Sequence, residues 1–289
     1  MLFRSREQAP VKTAVIVTTY NRPDALTAVL AGYRAQFDRD FELLIADDGS
    51  RDETRLLIQS EAARAPFPLH HVWQDDLGFR PGAARNRAAA RTHADYLIFA
   101  DGDCIPTRDF VRRHKSLAEK NCFLSGNRVL LSETFTQVVL AARVPVHQWH
   151  AARWLRAWLT RDVNRLLPLL KLPDSPLRQR APRQWEGVKT CNLSLWRADF
   201  LRVNGFDESY SGWGLEDSDL AIRLIHAGVR HKSARFAAPV FHLWHRENDR
   251  SRLAENQKLL DELIASRRSE EHTSELQSHL NLVCRLLLE

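Results

Sequence analysis

Four times in the first hundred residues a short, β-branched apolar run ends on polar residues and gives way to a helical stretch. That alternation restricts the fold more than any other feature of the chain. The runs are Ala14-Val15-Ile16-Val17-Thr18-Thr19, Phe41 to Ala46, His70-His71-Val72-Trp73 and Tyr96 to Ala100. Helices are expected from Ala25 to Ala35 with Asp24 as cap, from Asp52 to about Ala65, and from Gly82 to Thr92. Strands alternating with helices predict an α/β fold with a mostly parallel sheet covered on both faces. Ligands of such sheets bind at the carboxyl ends of the strands. There the chain places Thr18, Tyr20 and Asn21, then Asp47-Asp48, Gln74-Asp75-Asp76 and Asp101-Gly102-Asp103. One acidic loop is ordinary turn chemistry, whereas four on one rim point to a site.

At 289 residues and 44% hydrophobic content, the chain is large enough for one sizeable α/β domain or two modest ones. It has no run of about 18 apolar residues. Met1 to Arg6 lacks the apolar core of a signal peptide, so a cytoplasmic location is expected. Cys104, Cys122, Cys191 and Cys284 show no C-x-x-C spacing and read as free thiols. Arg268 to Ser278 resembles a translated sequencing adapter. The expected natural domain is therefore 1–267, with 268–289 a non-native tail. That tail carries two arginines against four glutamates, which leaves +8 on the rest of a chain whose net charge is +6. Such a charge suits nucleic acid, an anionic membrane surface or phosphorylated substrates alike.

Within the domain, 11–130 holds the strand and helix alternation, 131–186 reads as a helical insertion rich in Trp and Arg, and 187–260 carries the remaining acidic and histidine motifs. In the insertion, Trp154 and Trp158 lie one helical turn apart among Arg153, Arg156 and Arg161. Such a helix suits a membrane interface, and equally a Trp-rich helix packed on the domain with its arginines exposed. Pro168, Pro173, Pro176 and Pro182 mark an irregular connection after it.

The segment Gly212-Trp213-Gly214-Leu215-Glu216-Asp217-Ser218-Asp219 gathers three carboxylates and an indole where a loop enters a helix expected from about Leu220. One carboxylate would serve as a cap; the others call for a further role. Asp101 and Asp103 offer hard oxygen ligands for Mg²⁺ or Mn²⁺. His242 and His245, three apart, would shift the preference toward Mn²⁺. Gly78 to Arg87 is a glycine-bearing loop entering a basic helix, where Arg85 would hold an anion or orient neighbouring carboxylates.

Together these motifs resemble the family 2 glycosyltransferases of GT-A fold, in the family's order from about Thr13 to Leu260. The Gly78 to Arg87 loop and the acidic turn are most similar to chondroitin-polymerase-type domains, and the turn also resembles that of β-1,4-galactosyltransferases. The resemblance implies that 11–130 is the nucleotide-sugar-binding half and 187–260 the acceptor and catalytic half, with a UDP-linked donor held by Thr18, Tyr20, Asn21, Asp47, Arg85, Asn86 and Asp101. It implies Mn²⁺ or Mg²⁺ on Asp101, Asp103, His242 and His245. Asp217 would be the catalytic base of an inverting displacement, with Glu216 and Trp213 on a saccharide or lipid-linked acceptor. Peripheral contact with the inner face of an anionic membrane is compatible with this, and no nucleic-acid partner is expected, because the strand-end loops are acidic. The rival readings are a nucleotidyltransferase of similar fold and a non-enzymatic sugar- or nucleic-acid-binding module.

Overall fold

The computed structural model describes residues 11–246 and 249–266, so the tail reading from Arg268 lies outside the described residues. The first half runs β1 (Thr13–Thr19), α1 (Pro23–Arg34), β2 (Glu42–Asp47), α2 (Asp52–Ala62), β3 (Leu69–Trp73), α3 (Pro81–Ala90) and β4 (Tyr96–Asp101). All of β1 but Thr18 is buried, and its residues alternate between two cores: Val15 and Val17 enter one, Ala14 and Ile16 the other. That is the signature of a parallel strand covered on both faces. Pro23 opens α1, its fixed φ suiting the first helical position. Arg22 therefore stands where Asp24 was expected to cap, and Asp24 pairs with Arg22 at 2.9 Å.

The chain continues through β5 (Cys104–Pro106), α4 (Phe110–Leu117), β6 (Cys122–Ser125), β7 (Arg128–Leu130), α5 (Glu133–Ala141), α6 (Ala151–Leu159), β8 (Asn192–Trp196), α7 (Arg197–Arg202), α8 (Glu216–His226), β9 (Arg230–Ser233), β10 (Val240–His242) and α9 (Leu253–Ser266). The main sheet has the order β3-β2-β1-β4-β8-β6-β9. Its first four strands are parallel, and β8 joins them antiparallel. A second sheet, β5-β10-β7, stands beside the rim where β4 ends. The expected strand before His242 is thus β10, and it carries His242 itself.

The insertion divides its tryptophans. Trp154 is buried and stacks on Phe241 at 4.3 Å and 15°, whereas Trp158 is 46% exposed. Elsewhere Gly49, at φ +92, sits so close to Asp76 that a Cβ would lie 2.5 Å from that residue's Cα. Only glycine lets the β2 and β3 loops meet on the rim.

Behind the sheet a polar chain crosses the core. The Tyr96 hydroxyl lies 2.8 Å from Ser194 Oγ, which lies 2.7 Å from His114 Nδ1; His114 Nε2 is 3.1 Å from Asn192 Oδ1, and the Asn192 amide reaches the carbonyls of Asn127 and Ala238. Every member is satisfied if His114 stays neutral with its proton on Nε2. Burial holds its pKa down at about 4. Between that value and the ordinary 6.5 the unfolded chain binds a proton that the folded one does not, so this contribution is present above pH 6.5 and is lost as pH falls toward 4. His114→Gln is expected to flatten the fall in unfolding free energy, measured by urea titration, between pH 7 and pH 5, by up to about 1.4 kcal/mol per pH unit. An unchanged slope would mean that His114 titrates normally.

Candidate active site

The site begins with a short helix of small residues. Ala84, Ala88 and Ala89 let α3 lie close against β1 and β2, so the long side chain of Arg85 reaches beneath the strand ends. There its Nε donates to Thr18 Oγ1 at 2.9 Å, its Nη2 to Asp101 Oδ1 at 3.0 Å and its Nη1 to Glu216 Oε1 at 3.3 Å. The side chain is 4% exposed and its guanidinium rests over the Phe206 ring at 5.3 Å. One buried cation therefore joins the end of β1, the Asp-Gly-Asp turn and the acidic turn.

The acidic groups crowd around it. Burial raises Asp101 to about 6, with Arg85 opposing and the Asp103 and Asp217 charges adding to the rise. Burial likewise raises Glu216 to about 7, reinforced by Asp217 and opposed by Arg85. Such displaced carboxyls are characteristic of sites built for chemistry. Asp217 accepts a hydrogen bond from Thr190 Oγ1 at 2.7 Å and lies 3.7 Å from Lys189 Nζ.

The helix expected from about Leu220 begins four residues earlier, so Glu216, Asp217 and Asp219 all occupy the first turn of α8, where the helix dipole favours negative charge. Gly212 (φ 72), Gly214 (φ 104) and Leu215 (φ 78) are left-handed, and this folds the turn back toward Arg85. Asn256 of α9 braces it through the carbonyls of Ser211 (3.2 Å) and Gly214 (3.0 Å). Arg250 lies 4.6 Å from the Trp213 ring centroid. Asp219 pairs with Arg223, whose Nη1 reaches the carbonyls of Val203 and Gly205, so its charge belongs to the fold.

Asp103 meets both histidines: His245 Nε2 is 3.3 Å and His242 Nε2 3.7 Å from its Oδ2. His245 Nδ1 lies 2.7 Å from the Arg246 carbonyl, which places its proton there and turns the Nε2 lone pair toward Asp103. A carboxylate oxygen and an imidazole lone pair at that separation need a shared proton or cation. Burial lowers the pKa of His242, favouring the neutral ring that a metal takes. Asp103 thus brings a carboxylate oxygen beside two imidazoles, donor types that a divalent ion takes, and among the described residues the ligand atoms of Asp103, His242 and Cys104 all lie within 4.8 Å of one another. Asp101, expected beside them, points its Oδ1 at Arg85 instead.

The donor-side residues divide. The Tyr20 hydroxyl donates to Asp76 Oδ2 at 2.9 Å and the ring is 42% exposed. Asn21, at φ 48, joins the β1 and β2 loops through the Ser50 hydroxyl and the Arg51 amide. Asp47 is fully buried, with one oxygen 2.7 Å from His71 Nε2 and the other on the Ser50 amide. Asn86 departs furthest from expectation: its amide is spent on the Phe206 backbone and Glu208, tying α3 to the loop before the acidic turn. Sequence reasoning missed Lys189, Thr190 and Arg128, whose pKa, against the lowering effect of burial, is raised by Cys191 and Cys104 first and by Asp101 and Asp103 after them. The short strands β7 and β8 that bring them in carry too few residues for a readable period.

Residues 14–172 match the family described as Glycosyl transferase family 2, and residues 178–246 match N-terminal domain of galactosyltransferase. The chain is 32% identical over 228 residues to validoxylamine A glucosyltransferase of Streptomyces hygroscopicus subsp. jinggangensis (strain 5008), covering 75% of this chain and 52% of that one. It is 24% identical over 245 residues to chondroitin synthase of Escherichia coli, covering 78% and 34%. The chain thus spans about half or less of the length of these curated relatives. Among solved structures, mannosyltransferase PcManGT from Pyrobaculum calidifontis in complex with GDP-Man and Mn²⁺ superposes with TM-score 0.61 at 18% identity, over 98% of this chain and 74% of that one. S. aureus TarS 1-349 in complex with UDP-GlcNAc gives 0.57 at 16%, over 93% and 71%.

Proposed function

Because this chain belongs to the family 2 glycosyltransferases, we propose that it moves a sugar from a nucleotide sugar, UDP-linked, to a saccharide acceptor in one inverting displacement. The observation that carries this reading is Arg85, which holds a carboxylate of the Asp-Gly-Asp turn and one of the acidic turn on a single buried guanidinium. Donor-side and acceptor-side chemistry thereby face each other.

Asp217 removes the proton of the attacking acceptor hydroxyl, oriented by Thr190 and Lys189. Glu216 and Trp213 hold the acceptor sugar, and Arg85 keeps Glu216 and Asp101 in register while Thr18, Tyr20 and Asp47 flank the nucleotide. Asp103, His242 and His245 would hold a divalent ion, Mn²⁺ or Mg²⁺, which when bound stabilises charge on the departing diphosphate. A panel of nucleotide sugars assayed with Mn²⁺ should release nucleoside diphosphate only when acceptor is present; release of pyrophosphate instead would mark a nucleotidyltransferase. Asp103→Ala should remove most of the metal-dependent donor affinity, and calorimetry giving equal affinities with and without metal would contradict its role.

The acceptor reading extends to lipid-linked saccharides. Among the described residues no helix is long and apolar enough to cross a membrane. Residues 131–186 nonetheless carry nine basic against four acidic side chains. On α6, Leu155, Trp158 and Leu159 are 49%, 46% and 68% exposed beside exposed Arg153 and Arg156. That combination suits an anionic membrane surface. The chain should sediment with vesicles containing phosphatidylglycerol and not with phosphatidylcholine alone; equal recovery in the supernatant from both would remove the membrane from the proposal.

A further inference from the structure

We propose that Cys104 gives the metal centre a thiolate, so that Asp103, Cys104 and His242 form a mixed oxygen, sulfur and nitrogen donor set that prefers zinc-like ions to Mg²⁺. The inference rests on the reading of Asp103 and the two histidines as a metal centre and adds a ligand to it. Its basis is strand register. In the antiparallel pair of β5 and β10, His242 stands directly opposite Cys104. Side chains directly opposite each other in such a pair share a face of the sheet, with Cβ atoms about 5 Å apart. Cys104 Sγ lies 3.3 Å from Asp103 Oδ1, while the other oxygen of that carboxylate faces the imidazoles. The ligand atoms of Asp103, Cys104 and His242 all fall within 4.8 Å of one another.

A buried cysteine is usually a small apolar filler, and Cys122, on β6 of the main sheet and 3.9 Å from Arg230 Nη2, belongs to no such cluster among the described residues. Cys104 differs in what its sulfur faces. It also belongs to a second group within 4.8 Å, with Asp101 and Cys191, so a second thiol stands behind the first. Thiolate and imidazole favour Zn²⁺ and Co²⁺ over Mg²⁺ and Mn²⁺, both through ligand softness and through the general order of divalent affinities. On binding, the S–H bond breaks, sulfur donates its electron pair to the ion, and the proton leaves to solvent; no oxidant or reductant is needed.

The test is titration of the full chain with Co²⁺ under reducing conditions. Coordination by sulfur gives an intense near-ultraviolet sulfur-to-cobalt charge-transfer band in addition to the visible ligand-field bands. The band is expected in the wild-type chain and should be displaced by Zn²⁺. It should be absent in Cys104→Ala and retained in Cys191→Ala. Cys104→Ala should also weaken Co²⁺ binding at least as much as loss of an outer-sphere partner does, about tenfold or more. Visible bands without the near-ultraviolet band in the wild type would overturn the thiolate and leave the Asp103-histidine centre standing. No spectral change at all would overturn both. A band that survives Cys104→Ala and disappears in Cys191→Ala would assign the wrong sulfur. The wild-type spectrum decides the first two outcomes without any variant having to fold.

Discussion

Asp217→Asn is expected to lower the rate of sugar transfer by roughly 10² to 10⁴-fold, the range a positioned general base supplies, with donor affinity unchanged. The substitution isolates basicity from structure. An amide oxygen still accepts the Thr190 hydroxyl bond seen at 2.7 Å, so the start of α8 keeps its anchor. Single-turnover transfer measured beside calorimetric donor binding separates the two effects.

Glu216→Gln is the necessary companion. Burial and the Asp217 charge bring Glu216 to about 7, nearer than an ordinary carboxyl to the value that suits a base at neutral pH. Its oxygen is, however, engaged by Arg85 at 3.3 Å. If Glu216 binds acceptor, its Gln variant should raise the acceptor KM more than it lowers kcat. An active Asp217→Asn enzyme together with an inactive Glu216→Gln enzyme would exchange the two roles.

The second large effect is on stability. Arg85→Met keeps an unbranched apolar stem of similar thickness and removes the cation shared by Asp101 and Glu216. Breaking a buried ion pair by deleting one partner typically costs about 3–5 kcal/mol, because the remaining charge stays buried without compensation. Most of this falls on Glu216, 12% exposed, because Asp101 at 32% is partly relieved by solvent. For a chain of this size the loss would lower Tm by on the order of 10 °C.

The pH dependence identifies the cause. Asp101 and Glu216 already have raised folded pKa values, about 6 and about 7, and loss of Arg85 removes the influence that lowers both. A carboxyl whose folded pKa exceeds its unfolded value holds its proton more tightly when folded, so its penalty is greatest above that pKa and fades on acidification. The stability deficit of Arg85→Met should therefore be largest near pH 8 and shrink toward pH 5. A deficit that is constant with pH would reduce Arg85 to a packing residue.

Much of the frame was legible because it is locally encoded. The short β-branched run Ala14 to Thr19, closed by Asn21 and Pro23, reads as a buried strand, and the structure sends Val15 and Val17 into one core and Ala14 and Ile16 into the other. The expected GT-A organisation, with helices on both sides of a mostly parallel sheet, is the one observed. Errors fell at boundaries and in short strands. Pro23 displaced the cap expected at Asp24, and α8 began at Glu216 because three left-handed residues bend the chain before it, something composition does not announce. The resemblance implies both Arg85 and Asn86 at the donor, but a helix turns about 100° per residue. Adjacent side chains therefore face different partners, and Asn86 faces Phe206 and Glu208.

The sequence by itself determined which groups collect on the rim of the sheet, since strand, turn and side-chain type are properties of adjacent residues. Which of those groups touch was decided only by the tertiary structure. Arg85 meets Thr18, Asp101 and Glu216, and Cys104 stands opposite His242. Those contacts depend on the close approach of an alanine-rich helix to the sheet and on the register of a three-residue strand, both set by packing across the whole domain.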